Sequence, residues 1–140
     1  MTTTTRRIDH HAALIYTMVL VSAADQNMTD AEMSVIGDIV GHLPVFNNYD
    51  RNRLGETLRA CGDLMDRENG LDEALAAIEE ALPPKLRETA YAVACDVVAA
   101  DNQASQEELR LLEILRDHLH IDRLVAVAIE RATRARFARL

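Results

Sequence analysis

One stretch occurs twice in the chain, and its two copies restrict the fold more than any other feature of the sequence. Ala23-Ala24-Asp25-Gln26-Asn27-Met28-Thr29-Asp30-Ala31-Glu32 returns 76 positions on as Ala99-Ala100-Asp101-Asn102-Gln103-Ala104-Ser105-Gln106-Glu107-Glu108. The same shift places Ile36 on Leu112, Ile39 on Leu115 and Leu43 on Leu119. Each copy reads as the end of one helix, a short polar turn and the start of the next. The expectation is an all-α chain with an internal helix-turn-helix repeat.

Helical phase gives the copies their chemistry. Leu14, Met18 and Val21 form one apolar stripe, and Asp25 is its next position. Ala90, Val93 or Ala94, and Val97 lead in the same rhythm to Asp101. Glu32 and Glu108 head the apolar stripes of the helices that follow. Four carboxylates therefore stand at the rim of the core, and packing about a pseudo-twofold would bring all four to one small space. Carboxylates gathered in a low dielectric must share protons or hold a cation. A purely structural role fits the same residues. Thr29-x-x-Glu32 and Ser105-x-x-Glu108 both match the capping box, and Asp25 and Asp101 suit turns that bond the backbone locally.

Composition narrows the classes. The chain of 140 residues is expected to form one domain, residues 8–140, after a flexible, Thr-rich segment over residues 1–7. Apolar residues make up 49% but aromatics only 4%, which suits closely packed helices better than sheet sandwiches. A net charge of -8 argues against nucleic acid as a partner. Cys61 and Cys95 stand alone, without CxxC spacing, as expected of a reducing, cytoplasmic setting. No apolar stretch approaches 18 residues, so no direct membrane insertion is expected.

About seven helices are predicted, over residues 8–24, 30–43, 51–68, 72–81, 84–100 and 106–118, with the last after an Asp122 cap. Pro44 and Asn47-Asn48 break the second helix. Asn69-Gly70 is expected to supply the left-handed residue that ends the third, and Pro84 suits the first turn of the fifth.

With the doubled Ala-Ala-Asp turn and its Ser/Thr-x-x-Glu sequel, the chain resembles the TerB-like family, the helical domain associated with tellurite resistance. The resemblance spans residues 15–121. It implies an all-helical module without enzymatic activity, acting in stress response to tellurite or related metal anions through protein partners. It also implies a metal site at the acids of the two motifs, here Asp25, Glu32, Asp101 and Glu108. The family turn usually reads Asp-Gly, whereas Gln26 and Asn102 follow the aspartates here. Asn tolerates the left-handed conformation and Gln does so poorly, which predicts a reshaped first turn.

Other constellations carry less. His42 and His118 match across the repeat, yet each lies ten residues past its glutamate, roughly 15 Å along a straight helix. An oxygen-only set suits Ca, Mg or Mn, with Zn an adventitious occupant. No phosphate loop or nucleophile elbow is present, so no catalytic residues are assigned and the chain is not read as an enzyme. The alternative function is a structural protein–protein adaptor whose acids only cap helices. From Arg123 to Leu140 five arginines face Glu130 alone, leaving the first 122 residues at -12. A basic tail on an acidic body suggests docking on a partner or on a second copy as a homo-oligomer.

Overall fold

The computed structural model describes residues 7–101 and 103–140. Among them are seven α-helices: α1 (His10–Ser22), α2 (Asp30–His42), α3 (Leu54–Met65), α4 (Gly70–Ala81), α5 (Pro84–Ala99), α6 (Gln106–His118) and α7 (Arg123–Arg136). No strand occurs among these residues. The polar opening segment lies outside the described residues except for Arg7, which reaches Glu80 at 3.5 Å.

The starts of the helices follow their sequence signals. The side chains of Asp9, Thr29, Ser105 and Asp122 each accept a backbone N–H in the first turn of α1, α2, α6 and α7. Pro84 opens α5, where its missing N–H costs nothing. Asp50 caps a short 3-10 turn (Arg51–Arg53) that runs directly into α3, so the third α-helix begins later than the pattern predicted. A second 3-10 turn (Pro44–Phe46) is clipped to α1 by His11, whose Nε2 lies 2.7 Å from the carbonyl of Val45. The His11 ring also packs between Phe46 and Tyr49.

The core lies along α1 and α5. From His11 to Ser22 every residue of α1 except Ala12 is buried. The expected stripe of Leu14, Met18 and Val21 is therefore part of an all-round apolar helix enclosed by α3, α4, α5 and α6. Reciprocity marks the repeat: α1 packs on α6 as α5 packs on α2. The α3–α4 hairpin covers α1, while α7 covers α5.

One glycine expectation is corrected. No described glycine has positive φ, and Asn69 sits at φ -107°. Gly70 is required by space instead, because a Cβ there would lie 2.4 Å from the Leu64 carbonyl oxygen and 2.6 Å from that of Met65.

A clasp joins α7 to α5. Asp96 receives both the Thr133 hydroxyl and the Arg136 guanidinium, and Arg139 reaches the Ala100 carbonyl. Nearby, the Tyr91 hydroxyl donates to Glu130. Two of the tail arginines thus bind the chain's own fifth helix.

A candidate site where two acidic turns face each other

Both turns are built alike. Asp25 Oδ1 accepts from the Asn27 amide at 3.0 Å, and Asp101 Oδ1 accepts from the Gln103 amide at 3.1 Å. The reshaped first turn expected from Gln26 does not occur: Gln26 takes the left-handed conformation itself, at φ 60°. Its amide donates to the Ala23 carbonyl at 3.0 Å, so the turn is closed by a backbone bond. Asn102, the matching position, lies outside the described residues.

The two capping boxes then repeat to a tenth of an ångström. Thr29 Oγ1 accepts from the Glu32 amide at 3.1 Å while Glu32 Oε1 accepts from the Thr29 amide at 2.9 Å. Ser105 and Glu108 exchange the same pair of bonds at 3.1 and 2.9 Å. Each box satisfies two orphan amides and consumes one oxygen of its glutamate.

The two glutamate side chains are neighbours across the repeat. Glu32 and Glu108 are 1% and 2% exposed, and their side chains are hydrogen-bonding neighbours. Glu32 Oε2 is fully enclosed and has no donor among the groups around it unless Glu108 carries a proton. Burial pushes the Glu108 carboxyl up to about 8, reinforced by the facing Glu32 and by the charge of Asp25, with the Ser105 amide pulling the other way. A proton held on Glu108 lets one of the two neighbouring carboxyls donate to the other.

The aspartates stand further out. Thr29 Oγ1 lies 3.5 Å from Asp101 Oδ2, a cross-repeat contact at the limit of hydrogen-bonding distance. Asp25 acts on Glu108 through its charge. The structure thus sets Glu32 beside Glu108, with Asp25 near enough for its charge to act on Glu108 and Asp101 reaching Thr29. Among the described residues no three carboxylate, imidazole or thiolate groups form a ready-made ligand set. The pseudo-twofold expected from the repeat does set Glu32 beside Glu108; the contact of Thr29 with Asp101 had no signal in the spacing.

Residues outside the pair do other work. His42 Nδ1 lies 2.9 Å from the Asp38 carbonyl of its own helix. His118 and His120 lie 3.4 and 3.2 Å from the two oxygens of Glu79 on α4, an arrangement not foreseen, and hold that carboxyl below its usual range. Burial pushes the thiols of Cys61 and Cys95 up to about 12, which leaves them unreactive as nucleophiles. Among the described residues no helix is long and apolar enough to cross a membrane.

Comparison with curated proteins and with solved structures gives no match. The family model described as tellurite resistance protein TerB matches residues 11–131, which takes in both acidic turns, both capping boxes and most of α7. The chain belongs to the TerB family.

Proposed function

We propose that this chain is a non-enzymatic, cytoplasmic TerB-type module that exchanges the proton between Glu32 and Glu108 for a divalent cation. In this reading the bound form engages protein partners in the response to tellurite or related metal-anion stress. One observation carries the proposal: Glu32 has a second carboxyl, that of Glu108, beside it, and its Oε2 is buried without a donor. The donor set fits a hard ion in kind, with Glu32 and Glu108 offering the oxygens that their caps leave free. Asp25 and Asp101 would complete the set with their Oδ2 atoms, since Oδ1 of each is held by its turn. The ion would supply positive charge to a cluster of acids, and Ca, Mg or Mn suits such oxygens better than Zn.

Calorimetric titration with Ca, Mg, Mn and Zn tests this. Binding of one ion per chain is expected, with a heat that depends on the ionisation enthalpy of the buffer because a proton leaves. Glu108→Gln should abolish it while preserving the cap. If the wild-type protein binds none of the four ions, the second reading holds. That reading, a structural adaptor whose acids only cap helices, is favoured by the completeness of both boxes.

A further inference from the structure

The surplus arginines near the chain's end fall into two groups. Arg136 and Arg139 are bound within the chain at Asp96 and Ala100. Arg131 and Arg134, together with Arg116 in the last turn of α6, make no guanidinium ion pair or hydrogen bond among the described residues. Complementing a helix dipole accounts for an arginine at a helix end. It does not account for where these lie.

Arg116 and Arg134 flank an open groove of about 470 Å³ between α5, α6 and α7. Its floor is aliphatic, formed by Val98 and Ala99 of α5 and by Leu109 and Leu112 of α6. Two acids also line it, and both are engaged: Glu130 by the Tyr91 hydroxyl and Glu113 by Arg110 at 3.0 Å. Arg110 offsets Glu113, whereas Glu130 keeps its charge under a neutral hydroxyl. With Arg116, Arg131 and Arg134 around it the surplus at the mouth is still positive, on a protein whose net charge is -8. Leu109 is 44% exposed. On α7, Leu124 (79% exposed), Val127 (50% exposed), Arg131 and Arg134 follow at steps of three, four and three, one continuous stripe that runs into the groove.

Charge selects the occupant. The α7 stripe contains no acid, so the same stripe of a second copy would offer its arginines no carboxylate. Nucleic acid and anionic membranes carry their charge beyond the groove onto the acidic body, which disfavours them, whereas a short helix meets the groove alone. What fits an aliphatic floor with free guanidinium groups at its edge is an amphipathic helix carrying leucine-like anchors and carboxylates at neighbouring turns. We propose that the α5–α6–α7 groove docks an acidic amphipathic helix of a partner protein, with Arg116, Arg131 and Arg134 receiving its carboxylates. This deepens the partner-engaging part of the function above and does not depend on the cation.

The probe is a fluorescein-labelled Leu/Glu peptide of about 16 residues patterned as an amphipathic helix, followed by anisotropy against the full chain in EDTA. Saturable binding that weakens with salt is expected. Arg116→Glu with Arg134→Glu should weaken it about tenfold or more, and Leu109→Gln should also reduce it, whereas Arg123→Glu should change it less than about twofold. Arg116→Lys with Arg134→Lys should keep most of the binding, which separates loss of charge from loss of fold. Equal binding of a Leu/Lys peptide, or indifference to the double Arg→Glu change, overturns the proposal. So does a dimer in sedimentation that the double change dissolves, or preferential binding of the wild-type protein to phosphatidylserine vesicles through the same arginines. With EDTA present, a failed cation titration leaves this result untouched.

Discussion

Glu32 lies beside Glu108 with its Oε2 buried and unpartnered, while Oε1 of each glutamate is held by the amide of its own N-cap residue. Both glutamates occupy the third position of their helices, so the positive ends of α2 and α6 converge on the pair. Two helix dipoles and four cap bonds make the place tolerant of one negative charge. A second ionisation at the same place is opposed by burial and by Asp25.

A pH dependence follows with a definite sign. The folded Glu108 carboxyl, at about 8, lies above its value of 4.5 in an unfolded chain, so the folded state binds the extra proton between those limits. In the absence of divalent ions stability should therefore fall as pH rises from about 4.5 to 8, by an amount of order a few kcal/mol. Urea denaturation at pH 5.5 and 8.5 in EDTA, about one unit inside and just above that window, measures it. In Glu108→Gln, which donates permanently to Glu32, the slope should largely vanish, and the variant should exceed the wild type at the higher pH. Glu79 contributes in the opposite direction: its lowered carboxyl adds stability that is lost as pH falls below the usual carboxylate range, but its exposure keeps the effect small.

Both aspartates should matter equally to ion binding. Gln26 completes the first turn, and each aspartate reaches across the repeat, Asp25 to Glu108 by its charge and Asp101 to the Thr29 hydroxyl. An ion at about 100 times its dissociation constant adds roughly 2.7 kcal/mol. Asp25→Asn and Asp101→Asn should each remove most of the resulting rise in melting temperature. A loss confined to one variant would place the ion in a single turn.

Much of this was legible in the chain because local rules carried it. The capping boxes are side-chain-to-backbone bonds three residues apart, so Thr29-x-x-Glu32 and Ser105-x-x-Glu108 announce themselves. The repeat supplied the rest, by requiring that whatever faces Glu32 also faces Glu108. Contacts between unrelated segments were not legible. Nothing in the spacing of Asp96 and Arg136 marks them as partners, and Glu79 between His118 and His120 joins segments about 40 positions apart. At α1 no single stripe is distinguished, because a helix enclosed on every side has no polar face to define one.

The clasp of α7 should be measurable on its own. Asp96→Ala removes the acceptor of the Thr133 hydroxyl and leaves Arg136 only its 3.3 Å bond to Thr133 Oγ1, and Tyr91→Phe leaves Glu130 without its donor. Each should cost about 1–3 kcal/mol. The loss should appear as faster amide exchange in α7 before any change in α1, since α7 packs on α5 alone among its stronger helix contacts. Uniform acceleration across all helices would mean that α7 unfolds only with the whole.

Two alanine substitutions should move stability in opposite directions for reasons visible in the backbone. At Gly70 a methyl group would lie 2.4 Å from the Leu64 oxygen and 2.6 Å from the Met65 oxygen, both main-chain atoms that cannot step aside without shifting the α3–α4 turn. That turn seats both helices against α1, so Gly70→Ala should destabilise by about 2 kcal/mol or more. Gly37 in α2 and Gly62 in α3 have nothing within 4 Å of the same added atom and no left-handed backbone to preserve. Replacing either with alanine restricts the unfolded chain and removes a weak helix former, so each should gain about 0.5–1 kcal/mol. Urea midpoints of the three single variants decide the matter. A neutral Gly70→Ala would show that the α3–α4 turn has slack, and a destabilising Gly37→Ala would mean that its face of α2 is covered in the working molecule.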